Sequence, residues 1–188
     1  TQGVCAVCAL DAGLAREAVA RLDLDCEVLD VHADDLGDVL DNVERVGRAV
    51  GREAAARDLR ADLDARIDRV REAVADVPAD ERPRVAAFDW PDPVRHGGLW
   101  VPELVETAGG EAGLAAAGQR SETLDWADVR AYDPEVVVVA PCGYDRAGAE
   151  RAVEDLRARE GFSDLAAARE GRVYAMDGTA YMNRHSHR

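Results

Sequence analysis

An α/β fold built on a parallel sheet is what this 188-residue sequence predicts, and two observations carry the prediction. Three apolar segments, RVAAFDW (84–90), EVVVVAP (135–141) and RVYAMDG (172–178), read as strands, and helical patterns separate them. Each of the three then runs directly into a stretch rich in Gly, Pro, Trp, Tyr or Cys. Strands that alternate with helices pair in parallel, and the loops leaving their carboxyl ends line one crevice, where open α/β sheets take ligands. These loops hold aromatics and small residues but no nucleophile, base and orienter set, so the pattern points to binding and the chain is read as a non-enzyme.

The elements follow in order. In DAGLAREAVARL (11–22), Leu14, Ala18, Val19 and Leu22 recur at helical spacing behind Asp11 as N-cap. CEVLDVHA (26–33) alternates like a short strand, and DDL opens a helix in which Leu36, Val39, Leu40, Val43, Val46 and Val50 keep the period. Gly51 interrupts it. Leu59, Leu63, Ile67, Val70 and Val74 resume it in one long helix, roughly 36 Å from Arg52 to Ala75 at 1.5 Å per residue. Its polar positions are mostly Arg, Asp and Glu, many at i,i+4, and a coiled-coil segment is the alternative reading. Pro78 and Pro83 cannot continue a helix and end it. The expected division is a partial amino-terminal lobe (1–51), a connecting helix (52–77) and a carboxyl-terminal α/β lobe (78–188).

Composition excludes some partners. All 23 basic residues are Arg, the acids number 38, and the net charge is -15. Such a surface repels nucleic acid and anionic lipid, so neither is expected as a partner. The acids are spread along the chain rather than clustered, which favours a general solvated shell suited to high salt over a single docking face. There is no basic-then-apolar leader and no run near the roughly 20 apolar residues a spanning helix needs. The chain starts without Met, so a preceding segment is expected.

The motifs in sum resemble a known family. CAVCA near the start, the Arg/Asp-rich helix, W-x-DP followed by GG-x-WVPELVETAGG, DWADVRAYDPEVVVVAPCG and GRVYAMDGTAYMNR look like the substrate-binding proteins of ABC importers for cobalamin and ferric siderophores, and most like the cobalamin-binding branch. The resemblance implies a periplasmic-binding-protein-like fold, two α/β lobes joined by one rigid helix, with the first lobe incomplete here. It implies an extracytoplasmic or membrane-anchored monomer that holds a small-molecule ligand, cobalamin or a ferric siderophore, in the cleft between lobes. The implied partners are the ABC permease subunits, and no cofactor is implied.

Particular residues can then be placed. Trp90 and Trp100 flank the loop PDPVRHGGL; a buried Trp often only fills core, but two in one Gly-containing loop offer flat aromatic surface to a planar macrocycle. Asp92 and His96 share that loop, and an imidazole can ligate cobalt, although a lone exposed His is more often solvated. Cys142 sits in PCGYDRAG, where Pro141 and Gly143 let the backbone approach a ligand. Tyr144 and Tyr181 are candidate rim aromatics, and the resemblance adds Gln2 and Cys5 as contacts at the cleft mouth. The expected ligand set is therefore Trp90, Trp100, Cys142, Tyr181, Asp92, Gln2 and Cys5. Cys5 and Cys8 form one CxxC without a second, which argues against zinc and leaves a thiol redox module open. His32 among its neighbouring carboxylates leaves a metal-dependent enzyme open, and a non-binding fragment is a further alternative. GxSxG, GxxxxGK[ST], HExxH and GxGxxG are all absent.

Overall fold

Valine-rich and aromatic runs become strands, and acidic residues become helix caps, throughout residues Ala12–Met182, which the computed structural model describes. The chain divides into two units, Thr1–Arg69 and Val70–Arg188.

In the first unit, α1 (Ala12–Arg21) buries Ala12 and Ala15. Its expected cap, Asp11, lies outside the described residues. At 26–33, read as a strand, no strand occurs among the described residues. Alternation marks a strand only where a neighbour accepts its hydrogen bonds, and among the described residues of this unit none does. Instead the Asn42 side-chain amide donates to the Val31 and His32 carbonyls at 3.0 and 2.9 Å. That fastens the segment to α2 (Leu36–Ala49), whose N-cap Asp35 accepts from the Asp38 N–H at 2.7 Å. After Gly51, at φ +65°, comes α3 (Glu53–Ala73). The helices α2 and α3 meet closely at Gly47, where a Cβ would fall 2.2 Å from that of Ala56.

The long helix is unbroken over 21 residues. It stops short of the expected 77, because residues 74–77 turn through i→i+3 bonds such as Val77 N–H to the Val74 carbonyl. The boundary between units falls inside α3, between Arg69 and Val70, rather than at its ends.

The second unit carries the sheet. Its strands are β1 (Val85–Pro91), β2 (Val94–His96), β3 (Val136–Val139) and β4 (Val173–Ala175), in the order β2-β1-β3-β4. β1, β3 and β4 run parallel, with Val85 opposite Val136 and Val137 opposite Val173. Thus the three expected strands form, each within a few residues of its expected span. β2 is the correction. PDPVRHGGL was read as one loop, yet the chain turns at Asp92 and Pro93 and returns antiparallel on β1. Val94 and His96 are both buried, and their buried face gives three residues enough to hold a strand.

Helices α4 (Val101–Thr107), α5 (Trp126–Tyr132), α6 (Arg146–Arg157), α7 (Ala166–Arg169) and α8 (Gly178–Tyr181) complete the unit. Alternate residues of β1 face opposite ways, as a pleat requires. Ala86 and Phe88 join Val137, Val139, Ala152, Val153 and Leu156 in the core. Val85 and Ala87 face Val101, Pro102 and Val105 of α4. Asp125, Asp145 and Asp177 each accept an N–H from the first turn of the helix they precede, at 2.9, 2.8 and 2.7 Å. With Asp35, four aspartates thus have local work at helix starts.

Candidate functional site

The carboxyl ends of β1, β3 and β4 open onto three loops that are laced together by backbone bonds. The Ala140 N–H donates to the Phe88 carbonyl at 2.9 Å, Cys142 N–H to the Asp89 carbonyl at 3.1 Å, and Met176 N–H to the Val139 carbonyl at 2.9 Å. Pro141 is buried, and Gly143 turns at φ +80° with open space where a side chain would be. The turn closes through Tyr144 N–H to the Pro141 carbonyl, and Thr179 N–H then donates to the Tyr144 carbonyl, tying the start of α8 to the same rim.

The two tryptophans differ. Trp90 is half-buried, its indole N–H donates to the Asp92 carbonyl at 3.0 Å, and its ring meets Tyr144 edge-to-face with centroids 5.5 Å apart. Trp100 is buried, at 7% exposure, and its indole N–H is taken by the Met182 carbonyl at 3.1 Å. Of the pair, Trp90 has ring surface to offer, whereas Trp100 fixes the end of α8. Cys142 is half-buried and Tyr181 is 66% exposed beyond the rim. The Asp92 carboxylate turns to Arg159 and forms an ion pair with it. Gln2, Cys5 and Cys8 lie outside the described residues.

His96, weighed above as an exposed imidazole, is buried at 2% exposure. Its Nε2 accepts from the Glu122 N–H at 3.2 Å, which leaves Nδ1 to donate to the Gly97 carbonyl at 3.3 Å. Both ring nitrogens are committed to backbone. His32 bonds Asp34 at 3.0 Å, and no group of three or more His, Cys, Asp or Glu that could hold a metal occurs among the described residues.

Beneath the rim lies a polar group that the sequence did not reveal. Ser121 Oγ donates to Asp89 Oδ1 at 2.9 Å, and the Arg95 guanidinium donates to Ser121 Oγ at 3.2 Å and to the Ser121 carbonyl. Thirty-two residues separate Asp89 from Ser121, so no local motif could announce the contact. Ser121 gives its proton to a carboxylate and not to His96, so the trio is not a nucleophile with its base. Burial raises the Asp89 pKa above the ordinary carboxylate value, opposed by the Ser121 hydrogen bond and the Arg95 charge. Folded Asp89 thus holds its proton to higher pH than the unfolded side chain, at about 3.9, does. The stability it contributes is complete below the unfolded value and is lost as pH rises through the folded one. Asp89→Asn should remove that component: urea unfolding across the acidic range should show wild type gaining on the variant as pH falls. A difference that is constant with pH would mean that Asp89 titrates alike in both states.

A depression of about 400 Å³ lined by Arg130, Asp133, Gly161, Asp164 and Leu165 opens at the other end of the sheet, where Asp133 precedes β3. The aromatic rim and this depression are therefore separate places.

A family model described as periplasmic binding protein matches residues 7–180. No curated protein matches the chain. Among solved structures, an ABC transporter substrate-binding protein from Listeria monocytogenes is 20% identical at a TM-score of 0.71, covering 88% of this chain and 64% of its own. A periplasmic vitamin B12 binding protein of Vibrio cholerae is 17% identical at 0.62, covering 87% and 60%. A periplasmic heme binding protein from Pseudomonas aeruginosa is 20% identical at 0.70, covering 88% and 59%. At these identities the likeness is one of fold, and the chain spans roughly three fifths of the length of each.

Proposed function

Because the chain belongs to the periplasmic binding protein family, we propose that it serves as the substrate-binding component of an ABC importer, taking a planar macrocyclic ligand and handing it to the permease subunits outside the membrane. The ligand is a corrinoid such as cobalamin, or a ferric chelate of similar flat, largely apolar character. One observation carries the reading: the Trp90 and Tyr144 rings meet at the carboxyl ends of two adjacent parallel strands, where such sheets place ligands. The solved vitamin B12 and heme binding proteins of like fold support the ligand class. In this reading Cys142, in the same segment as Tyr144, and Tyr181, in α8, are further candidate contacts.

The test is calorimetry with cyanocobalamin, with hemin and with a ferric siderophore, on the protein and on Trp90→Ala. Removing a ring that stacks on the ligand should weaken binding by about 1–3 kcal/mol. No heat with any of the three, or an unchanged affinity in the variant, would remove Trp90 and the rim from the binding role.

A further inference from the structure

We infer that Arg159 is a positioning residue for Trp90: it fixes the β1–β2 turn and, through that turn, the face that the Trp90 ring presents at the rim. The inference rests on the ligand reading above for its consequence, but its structural part can be read without any ligand. Arg159 follows the end of α6, and its side chain is 28% exposed. It reaches across 67 and 68 residues of chain to donate to the Asp92 carboxylate and to the Pro91 carbonyl, the latter at 3.2 Å. Its guanidinium lies 5.7 Å above the Trp126 ring centre. Trp126 is itself held from two sides, by a stacked Phe162 at 6.3 Å and 6° and by its indole bond to the Glu160 carbonyl at 2.9 Å. A braced aromatic platform thus supports the cation, and the cation grips the turn.

The turn in turn holds the ring. Trp90 donates its indole N–H to the Asp92 carbonyl, on the same residue whose carboxylate Arg159 binds. Between Arg159 and the Trp90 edge there are therefore only the atoms of Asp92 and Pro91, and beyond that edge comes the face-on-edge contact with Tyr144. The ion pair by itself contributes little, because the Asp92 side chain is 82% exposed. One nitrogen, Nη2, donates to both the Pro91 carbonyl and the Asp92 carboxylate while the planar guanidinium lies over the Trp126 ring, so what a Lys ammonium loses is the flat surface on that ring rather than the donors.

The experiment is fluorine NMR of the protein labelled with 5-fluorotryptophan, with resonances assigned by single Trp→Phe substitutions, for wild type, Arg159→Ala and Arg159→Lys. Trp126 touches Arg159 and will respond trivially; Trp90 and Trp100 are the informative pair. In Arg159→Ala the Trp90 resonance should shift and broaden while Trp100 stays in place. Arg159→Lys should show a smaller change in the same direction, since an ammonium keeps donors for the turn but loses the planar seat on Trp126. An unmoved Trp90 resonance, or one that moves together with Trp100, overturns the inference, the second because it reports general loosening. Titrating cyanocobalamin then separates this inference from the reading beneath it. If wild type binds, Arg159→Ala should need about tenfold more ligand, the effect of about 1.4 kcal/mol, and an equal midpoint refutes the coupling of turn to site. If wild type does not bind, the ligand reading fails, while the ligand-free spectra still decide whether Arg159 sets the ring.

Discussion

Replacing Phe88 with alanine should destabilise the second unit by about 3–5 kcal/mol, the largest effect expected of any single substitution here. Phe88 is fully buried at the middle of β1, opposite Val139 on one side and His96 on the other. Its ring touches no water and shares its cluster with Val94, Val137, Val139 and Leu156. The neighbours come from three separate elements, β2, β3 and α6, and the strand backbones on both sides are fixed by ladder bonds, so the space left by the ring cannot close by a local shift. Equilibrium urea unfolding followed by far-UV circular dichroism would measure the change. A loss below about 1 kcal/mol would mean that the cluster refills, contrary to close packing of the kind described.

Gly98→Ala should cost roughly 3 kcal/mol, at the upper end of what overpacking usually does. The reason is the identity of the obstructing atoms. A Cβ on Gly98 would fall 2.3 Å from the Ser121 amide nitrogen, 2.6 Å from the Gln119 carbonyl oxygen and 2.7 Å from the Arg120 carbonyl carbon. These are backbone atoms and cannot rotate away. They are also held in place, since the 118–124 segment bonds to 94–99 through Leu99 N–H to the Gln119 carbonyl, His96 N–H to the Glu122 carbonyl and Leu124 N–H to the Val94 carbonyl. The methyl must push two hydrogen-bonded segments apart, and Ser121 with them. The same unfolding experiment would report it, and a variant as stable as wild type would show that the segments separate without cost.

What the sequence made legible follows from which interactions are local. The strands at Val85–Pro91, Val136–Val139 and Val173–Ala175 stand out because their apolar side chains run together between segments rich in polar and turn residues. The helix Glu53–Ala73 stands out because nothing in it breaks the period. β2 was hidden, since three residues between a Pro and two Gly carry no period of their own and acquire strand structure from β1. CEVLDVHA misled for the opposite reason: it has the period, and among the described residues no strand lies beside it. Trp90 lies at the carboxyl end of β1, Cys142 in the segment that follows β3 and Tyr181 in α8 after β4, positions that follow directly from strand order. The sequence could not rank Trp90 above Trp100, because which indole is covered depends on Met182, 82 residues away. The Asp89, Ser121 and Arg95 contacts and the reach of Arg159 are long-range in the same sense, and no spacing rule encodes them.

The parallel pairing of β1 with β3 also shapes how the chain finds its structure. The β1–β2 hairpin closes a turn of two residues, whereas joining β1 to β3 brings Arg84 to Glu135, 51 positions away. Chain-closure entropy grows with the logarithm of the span, so the second event costs more than the first by roughly 3 kcal/mol before any side chain is buried. Early in folding, then, the hairpin is the cheap contact and the central pairing the slow one. The rim that gathers Trp90 and Tyr144 comes into being only when that slow pairing is made, so the surface proposed above for a ligand is among the last features of this unit to assemble.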